Sequence, residues 1–367
     1  MSVFRKMDRY VGAYFLSSYL VCFMFFLGIF IVLDLVPRLD DILEASPAAQ
    51  EKGQSLFVLV VRYYAFKIPE IFLQVAPYLT LMAAMFTITR LRKANELIPM
   101  VMAGVSIFRI VLPIFLLAAL LTVTMITVQE YVASPFATSR LLAETFLLDH
   151  EERLVMPQQV MTGVDGRKIT VNNFDVNAGV IGSIDISYIE ERDNRQVYCV
   201  ISGKNLRWLG KGKGWSMEEG YSEEERPAGD GGGGRVPLTH LDIDLTPEDI
   251  ILFLKSPYDM SLKQIERLFT MNPSDLRLKI LLHHHITFPL TNIILLLLGL
   301  PFVFRQEQHS NFLGITIALA ICMGYFALDV IMRDLGTQGF LPAALAAWFS
   351  VVFCGSLGIC IFDSIRT

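Results

Sequence analysis

The densest group of residues able to do chemistry is Arg90-Leu91-Arg92-Lys93-Ala94-Asn95-Glu96-Leu97, followed after a short apolar run by Ala103-Gly104-Val105-Ser106. An acid beside three bases in a short segment is suited to ion pairing with another polypeptide. Glu96 could pair with a base on such a partner, while Ile98, Val101 and Met102 supply area to be buried against it. Read without further context, Glu96 is a solvated loop acid. A second set, Arg38, Arg62, Lys67 and Arg140, lies near the ends of apolar stretches. Bases at that depth can meet lipid phosphate, and they also commonly anchor membrane spans.

The remaining candidates are weaker. Asp329 and Arg333 are four apart, a spacing that on one helix favours pairing with each other over a proton path. His283, His284 and His285 are consecutive, so a helix points them in different directions and they make a poor metal cage; they read as an interfacial anchor. Four glycines end the run Gly229 to Gly234, a flexible loop that lacks the GK[ST] of a phosphate loop. No GxxxxGK[ST] occurs anywhere in the chain, so ATP chemistry has to come from another polypeptide. Of the five cysteines only Cys199 lies outside apolar runs, and no CxxC or Cys/His metal spacing appears. No cofactor or metal is expected.

These residues must be positioned by membrane helices. The chain has 367 residues, of which 53% are hydrophobic and only 18% charged, with a mean hydropathy of +0.49. That is too apolar for an ordinary soluble domain of this length. The net charge of -5 is small and mixed in sign, which excludes a phosphate-neutralising stripe for nucleic acid. A hydrocarbon core of roughly 30 Å takes about 20 apolar residues as a helix. Six stretches free of Asp, Glu, Lys and Arg meet that test: Val11 to Leu33, Ile71 to Thr89, Ile110 to Gln129, Ile286 to Phe304, Asn311 to Leu328 and Gly336 to Phe362. The first lacks a small-residue cleavage site and is expected to be retained as an anchor. Pro77, Pro113, Pro289, Gly299 and Pro301 within spans allow kinks or close helix packing.

Basic residues near span ends are kept preferentially in the cytoplasm. An inside N-terminus places Arg5, Lys6, Arg9, Arg90, Arg92, Lys93, Arg109, Arg305 and Arg366 there, which predicts N-in and C-in. The segment between spans three and four is then exported. It contains runs such as Lys168 to Val171, Ile184 to Ile189, Gln196 to Ile201 and His240 to Leu245, separated by Gly, Asn and Asp turn signals, the pattern of a sandwich or jelly roll. Thr246-Pro247-Glu248-Asp249 then opens a helix with a cap residue, a first-turn proline and acids. Ser261 to Phe269 carries apolar residues at helical spacing. The expected organisation is a membrane half at 1–129 with a cytoplasmic loop at about 90–109, a β-rich domain at 130–245, a helical return at 246–285 and a second membrane half at 286–367.

Several segments together resemble the LptF/LptG (YjgP/YjgQ) permease family of lipopolysaccharide export. They are Asp8-Arg9-Tyr10, Lys67-Ile68-Pro69, Ala76-Pro77-Tyr78-Leu79, Asn95-Glu96-Leu97 with Ala103-Gly104-Val105-Ser106, His285 to Pro289, Leu298 to Phe302, Gly339 to Pro342 and Ala347-Trp348. The opening is slightly closer to LptG. The resemblance implies six transmembrane helices in a 3+3 arrangement around an inserted periplasmic β-jelly-roll-like domain, in the bacterial inner membrane. It implies an ABC transporter subunit, not itself an enzyme, that pairs with a homologous permease, binds a cytoplasmic ATPase dimer and passes lipopolysaccharide to periplasmic bridge proteins. It places ATPase coupling at Arg92, Asn95, Glu96, Leu97 and Gly104. A secondary transporter and a membrane-anchored scaffold are the competing functions: the first usually shows charged or broken midplane helices and an inverted repeat, and the second has no need of the apolar cytoplasmic elbow.

Overall fold

The structure is a computed structural model that describes residues 6–44, 55–148, 154–156, 158–162, 167–192, 195–210, 212–225, 235–253, 255–273, 275–305 and 311–363. The glycine run, Arg5, Arg366 and Glu307 lie outside the described residues. In chain order the helices are α1 (Lys6–Leu35), α2 (Leu39–Glu44), α3 (Leu56–Lys93), α4 (Leu97–Met102), α5 (Ile107–Val128) and α6 (Ser134–Leu148). Nine strands follow, and then α7 (Pro247–Leu252), α8 (Leu262–Met271), α9 (Leu276–Arg305), α10 (Asn311–Thr337) and α11 (Ala343–Asp363). The chain divides into two compact units, Met1–Pro37 with Lys67–Ser134 and Leu276–Thr367, and Arg38–Phe66 with Pro135–Asp275.

Among the described residues, six helical stretches are long and apolar enough to cross a membrane: Lys6–Glu44, Leu56–Lys93, Ile107–Leu147, Leu276–Phe304, Thr316–Thr337 and Ala343–Asp363. Six spans with an inserted antiparallel β region is the expected fold class. Several ends differ from expectation. The second helix begins at Leu56 rather than Ile71 and carries Pro69 and Pro77 inside it. The fifth continues to Thr337, so Gly336 belongs to α10 and not to the last span. The charges that suggested an earlier stop are accommodated in the helix, where Arg333 Nε lies 2.9 Å from Asp329 Oδ2. The stop comes at Gly339, whose φ of +83° only glycine adopts without cost. Phe340 N–H donates to Leu335 C=O and Gly339 N–H to Gly336 C=O, the paired bonds of a left-handed helix cap.

The membrane unit is held by an apolar core and a buried polar hub. Phe15, Leu81, Ile88, Ile114, Leu295 and Leu300 are among the core residues drawn from α1, α3, α5 and α9. Asn292, fully buried on α9, accepts from Thr80 Oγ1 of α3 at 2.9 Å and donates to Thr122 Oγ1 of α5 at 3.4 Å. Amide and hydroxyl bonds of this kind tie spans together where apolar burial offers no drive. Gly299 and Gly358 permit close approaches: a Cβ at Gly299 would collide with Leu81, and one at Gly358 would lie 2.9 Å from Leu297 Cβ.

The second unit centres on an antiparallel sheet. Its strands are β1 (Val155–Met156), β2 (Gln159–Thr162), β3 (Lys168–Asp175), β4 (Val180–Arg192), β5 (Arg195–Trp208), β6 (Trp215–Ser216), β7 (Glu219–Glu225), β8 (Val236–Pro237) and β9 (His240–Leu241). Pairing largely follows sequence order, β3 to β4 to β5 to β7 to β8, with β1 and β2 on β3 and β6 linking β5 to β9. One face closes over Phe174, Ile181, Ile184, Leu206 and Trp215, and the indole of Trp215 donates to Leu245 C=O at 2.8 Å. His240 to Leu245 supplies only a two-residue strand. The acidic β7 had no alternating apolar signal, and α6 turns the start of the expected β region into helix. Capping boxes at Thr246/Asp249 and Ser261/Gln264 open α7 and α8, as their residue types required.

Candidate coupling site

The segment from Arg90 to Ser106 is shaped by two left-handed residues. Asn95 has a φ of 56° and Gly104 of 81°. At the first, Glu96 N–H donates to Leu91 C=O and Asn95 N–H to Arg92 C=O, closing α3. At the second, Val105 N–H donates to Met100 C=O and Gly104 N–H to Val101 C=O, closing α4. Both ends are therefore capped by the same pair of bonds. Asparagine and glycine tolerate the left-handed region best, which is the physical requirement behind those two residue types. No neighbour lies within 4 Å of a Cβ built on Gly104, so its requirement is conformational and not one of space.

Between the stops, α4 is one short turn-and-a-half that buries Leu97 and exposes Ile98 and Met102, 61% and 84% accessible. An apolar pair displayed in this way lacks a cover among the described residues. Glu96 sits at the N-cap without capping its own helix. Its carboxylate instead accepts from the phenol of Tyr10 at 2.9 and 3.0 Å, and Tyr10 is 2.9 Å from the Tyr14 hydroxyl. The Arg90 guanidinium stacks on the Tyr14 ring at 4.1 Å. Arg92 donates to Phe304 C=O at 3.1 Å, satisfying a carbonyl in the last turn of α9. Thus Asn95 and Gly104 set the backbone, Leu97 anchors, Glu96 joins α1, and Arg92 joins α9. Tyr10, the partner of Glu96, and Tyr14 behind it were missed, since they stand far off in sequence.

The four bases read as lipid contacts have different surroundings. Lys67 is buried and donates to both oxygens of Asp34 at 3.0 and 3.1 Å. Arg38 donates to Glu144 and to the Tyr63 hydroxyl, each at 2.9 Å. Arg140 is buried against Asp259 at 2.7 Å. Burial holds the Asp259 carboxyl above its ordinary value despite that neighbour. Arg62 is exposed, lies over the Phe66 ring at 5.5 Å, and has no carboxylate partner among the described residues.

The histidines correct a second expectation. His284 and His285 are buried rather than interfacial. His285 lies 2.8 Å from Glu130 and 3.0 Å from Gln129, which the π-helical turn Gln129–Ala133 presents, and His284 lies 3.5 Å from Asp329. Buried ionisable groups among spans are tolerated when paired in this way. No group of three or more metal-ligating side chains occurs among the described residues.

Among the described residues, six apolar spans, a β insertion and a short capped helix displayed between spans two and three define a multi-pass membrane protein. A family profile described as lipopolysaccharide export system permease LptF/LptG matches residues 9–363, and the chain belongs to that family. It is accordingly an inner-membrane permease component of lipopolysaccharide export and not itself a catalytic enzyme. No curated protein matches the chain.

Proposed function

We propose that this permease extracts lipopolysaccharide from the inner membrane, in partnership with a homologous permease, while a separate cytoplasmic ATPase dimer grips α4 and drives the spans. The display of Ile98 and Met102 on a helix locked at both ends carries this reading. In it the N- and C-termini are cytoplasmic, the β domain is periplasmic, and the lipid passes onward to periplasmic bridge proteins. Glu96 meets a base on the ATPase, and Arg92, Asn95, Leu97 and Gly104 hold the element that presents it. Arg62, which has no carboxylate partner among the described residues, is the base best disposed to meet lipid phosphate; Arg38, Lys67 and Arg140 would have to exchange a carboxylate for it.

Glu96→Ala should loosen the ATPase, because leaving one member of an interfacial charge pair unpaired costs about 2 to 5 kcal/mol. Glu96→Gln keeps an acceptor for Tyr10 and should lose less. Copurification of the ATPase and lipid release from reconstituted vesicles are the measurements. Unchanged copurification and release in Glu96→Ala and Glu96→Arg remove Glu96 from the mechanism, whereas rescue of a loss by charge reversal on the ATPase establishes the contact. Changes at Glu307 should matter much less.

A further inference from the structure

A groove of about 410 Å³ lies between α1 and α3, lined by Ser17, Ser18, Val21, Cys22, Phe86, Arg90 and Lys93. Its geometry follows from helical spacing. Ser17, Ser18, Val21 and Cys22 share one side of α1, and Phe86, Arg90 and Lys93 recur at four and three residues along one side of α3. Small side chains on α1 open the space and Phe86 gives it an apolar wall. At the end of α3 the groove finishes in two cations. Both are exposed; Lys93 has no carboxylate partner among the described residues, and Arg90 makes its contact with the face of Tyr14. An apolar channel beside a span that ends in two cations without a lining carboxylate matches an amphipathic anion: apolar chain along the helices, phosphate at the helix end.

We propose that this groove binds an acidic diacyl phospholipid, with one acyl chain along Val21, Cys22 and Phe86 and its phosphate between Arg90 and Lys93. The phosphate then competes with the Tyr14 ring for the Arg90 guanidinium, which places lipid occupancy one contact from the Tyr14–Tyr10–Glu96 chain. A zwitterionic headgroup brings the same phosphate but also an ammonium that the two cations repel, so it gains less. The site is a property of this chain alone and does not depend on the ATPase reading.

The test is native mass spectrometry of the full chain in detergent, titrated separately with phosphatidylglycerol and phosphatidylethanolamine. Phosphatidylglycerol should bind with the higher affinity, and Arg90→Gln/Lys93→Gln should weaken it about thirtyfold, from the contribution of roughly two surface cations. Ser17→Leu/Ser18→Leu, which fills the groove and keeps both charges, should weaken it comparably. Lys204→Gln, in the β domain, should change nothing, and each variant's melting temperature serves to show that it is folded. Equal affinity for the two lipids, or either double variant binding phosphatidylglycerol as wild type does, overturns the proposal. So does displacement of phosphatidylglycerol by equimolar lipopolysaccharide, which would assign the groove to the exported lipid, or its loss on adding the homologous permease, which would make the groove a subunit contact. Because no ATPase is present, failure here leaves the coupling assignment standing.

Discussion

Individual side chains divide into those that shape backbone and those that answer a charge. Gly104 belongs to the first group: alanine there must adopt a left-handed conformation that costs about 1 to 2 kcal/mol, whereas Asn95→Gly relieves the same demand. Gly104→Ala should lower the melting temperature of the detergent-solubilised protein and Asn95→Gly should leave it unchanged or raise it. Arg140 belongs to the second group. With both side chains of the Arg140–Asp259 pair below 9% accessible, removing the arginine strands a buried carboxylate at a cost of about 3 to 5 kcal/mol. A double replacement, Arg140→Leu with Asp259→Leu, should recover much of that loss in chemical unfolding. The pH dependence separates the cases further. Asp259 already sits above its ordinary value because of burial, so its folded form favours the proton; that contribution is present at low pH and lost as pH rises through the raised value. Arg140→Ala should steepen this loss, making the variant's deficit smaller at acid pH than at neutral pH. A deficit independent of pH would mean that Asp259 does not feel the arginine.

At the scale of elements, the links between helices and strands yield separate expectations. Arg267 of α8 makes a two-pronged bond to Asp244 at 2.9 and 3.0 Å and also reaches Asp249 of α7. Hydrogen bonding from Arg267 holds Asp244 below the ordinary carboxylate value of 3.8. The stability this confers is present above that value and lost as pH falls through the lowered one. The unfolding temperature of the β unit should therefore drop on acidification, and Asp244→Asn should flatten the drop. In the spans, Gly358→Leu should separate α11 from α9, since even a Cβ there meets Leu297; the readout is yield of folded protein after detergent extraction, with Gly324→Leu, which has open space, as the control. Hydrophobicity made the number of spans legible, because a bilayer leaves a long apolar stretch few alternatives. The ends were less legible: Glu70 bounds the charge-free stretch that begins at Ile71, yet the helix runs on from Leu56 and Asp34 answers Lys67 within it. Likewise β7 was hidden, as its glutamates carry no inward alternation and its pairing with β5 and β8 makes it a strand. The bond between His285 and Glu130 spans two distant segments, so neither residue's neighbours announced it.

For the whole molecule, the family assignment makes orientation the most useful thing to measure. Single cysteines at Ser106 and Lys213 in a cysteine-free background should label from opposite sides of intact inner membrane vesicles. Labelling of both from the periplasmic side overturns the inside N-terminus and removes α4 from reach of any cytoplasmic ATPase. The double-capped loop has a mechanical corollary. From Arg90 to Ser106 the backbone is pinned at both left-handed turns, and Arg92 grips the end of α9. A hinge with slack would absorb a push on Ile98 or Met102 within the loop. If an ATPase grips α4 as proposed, a strut with its joints fixed would deliver displacement to α3, α5 and α9 together, so loosening either joint would lose stroke before it lost grip: an ATPase still bound, still turning over, and moving little lipid.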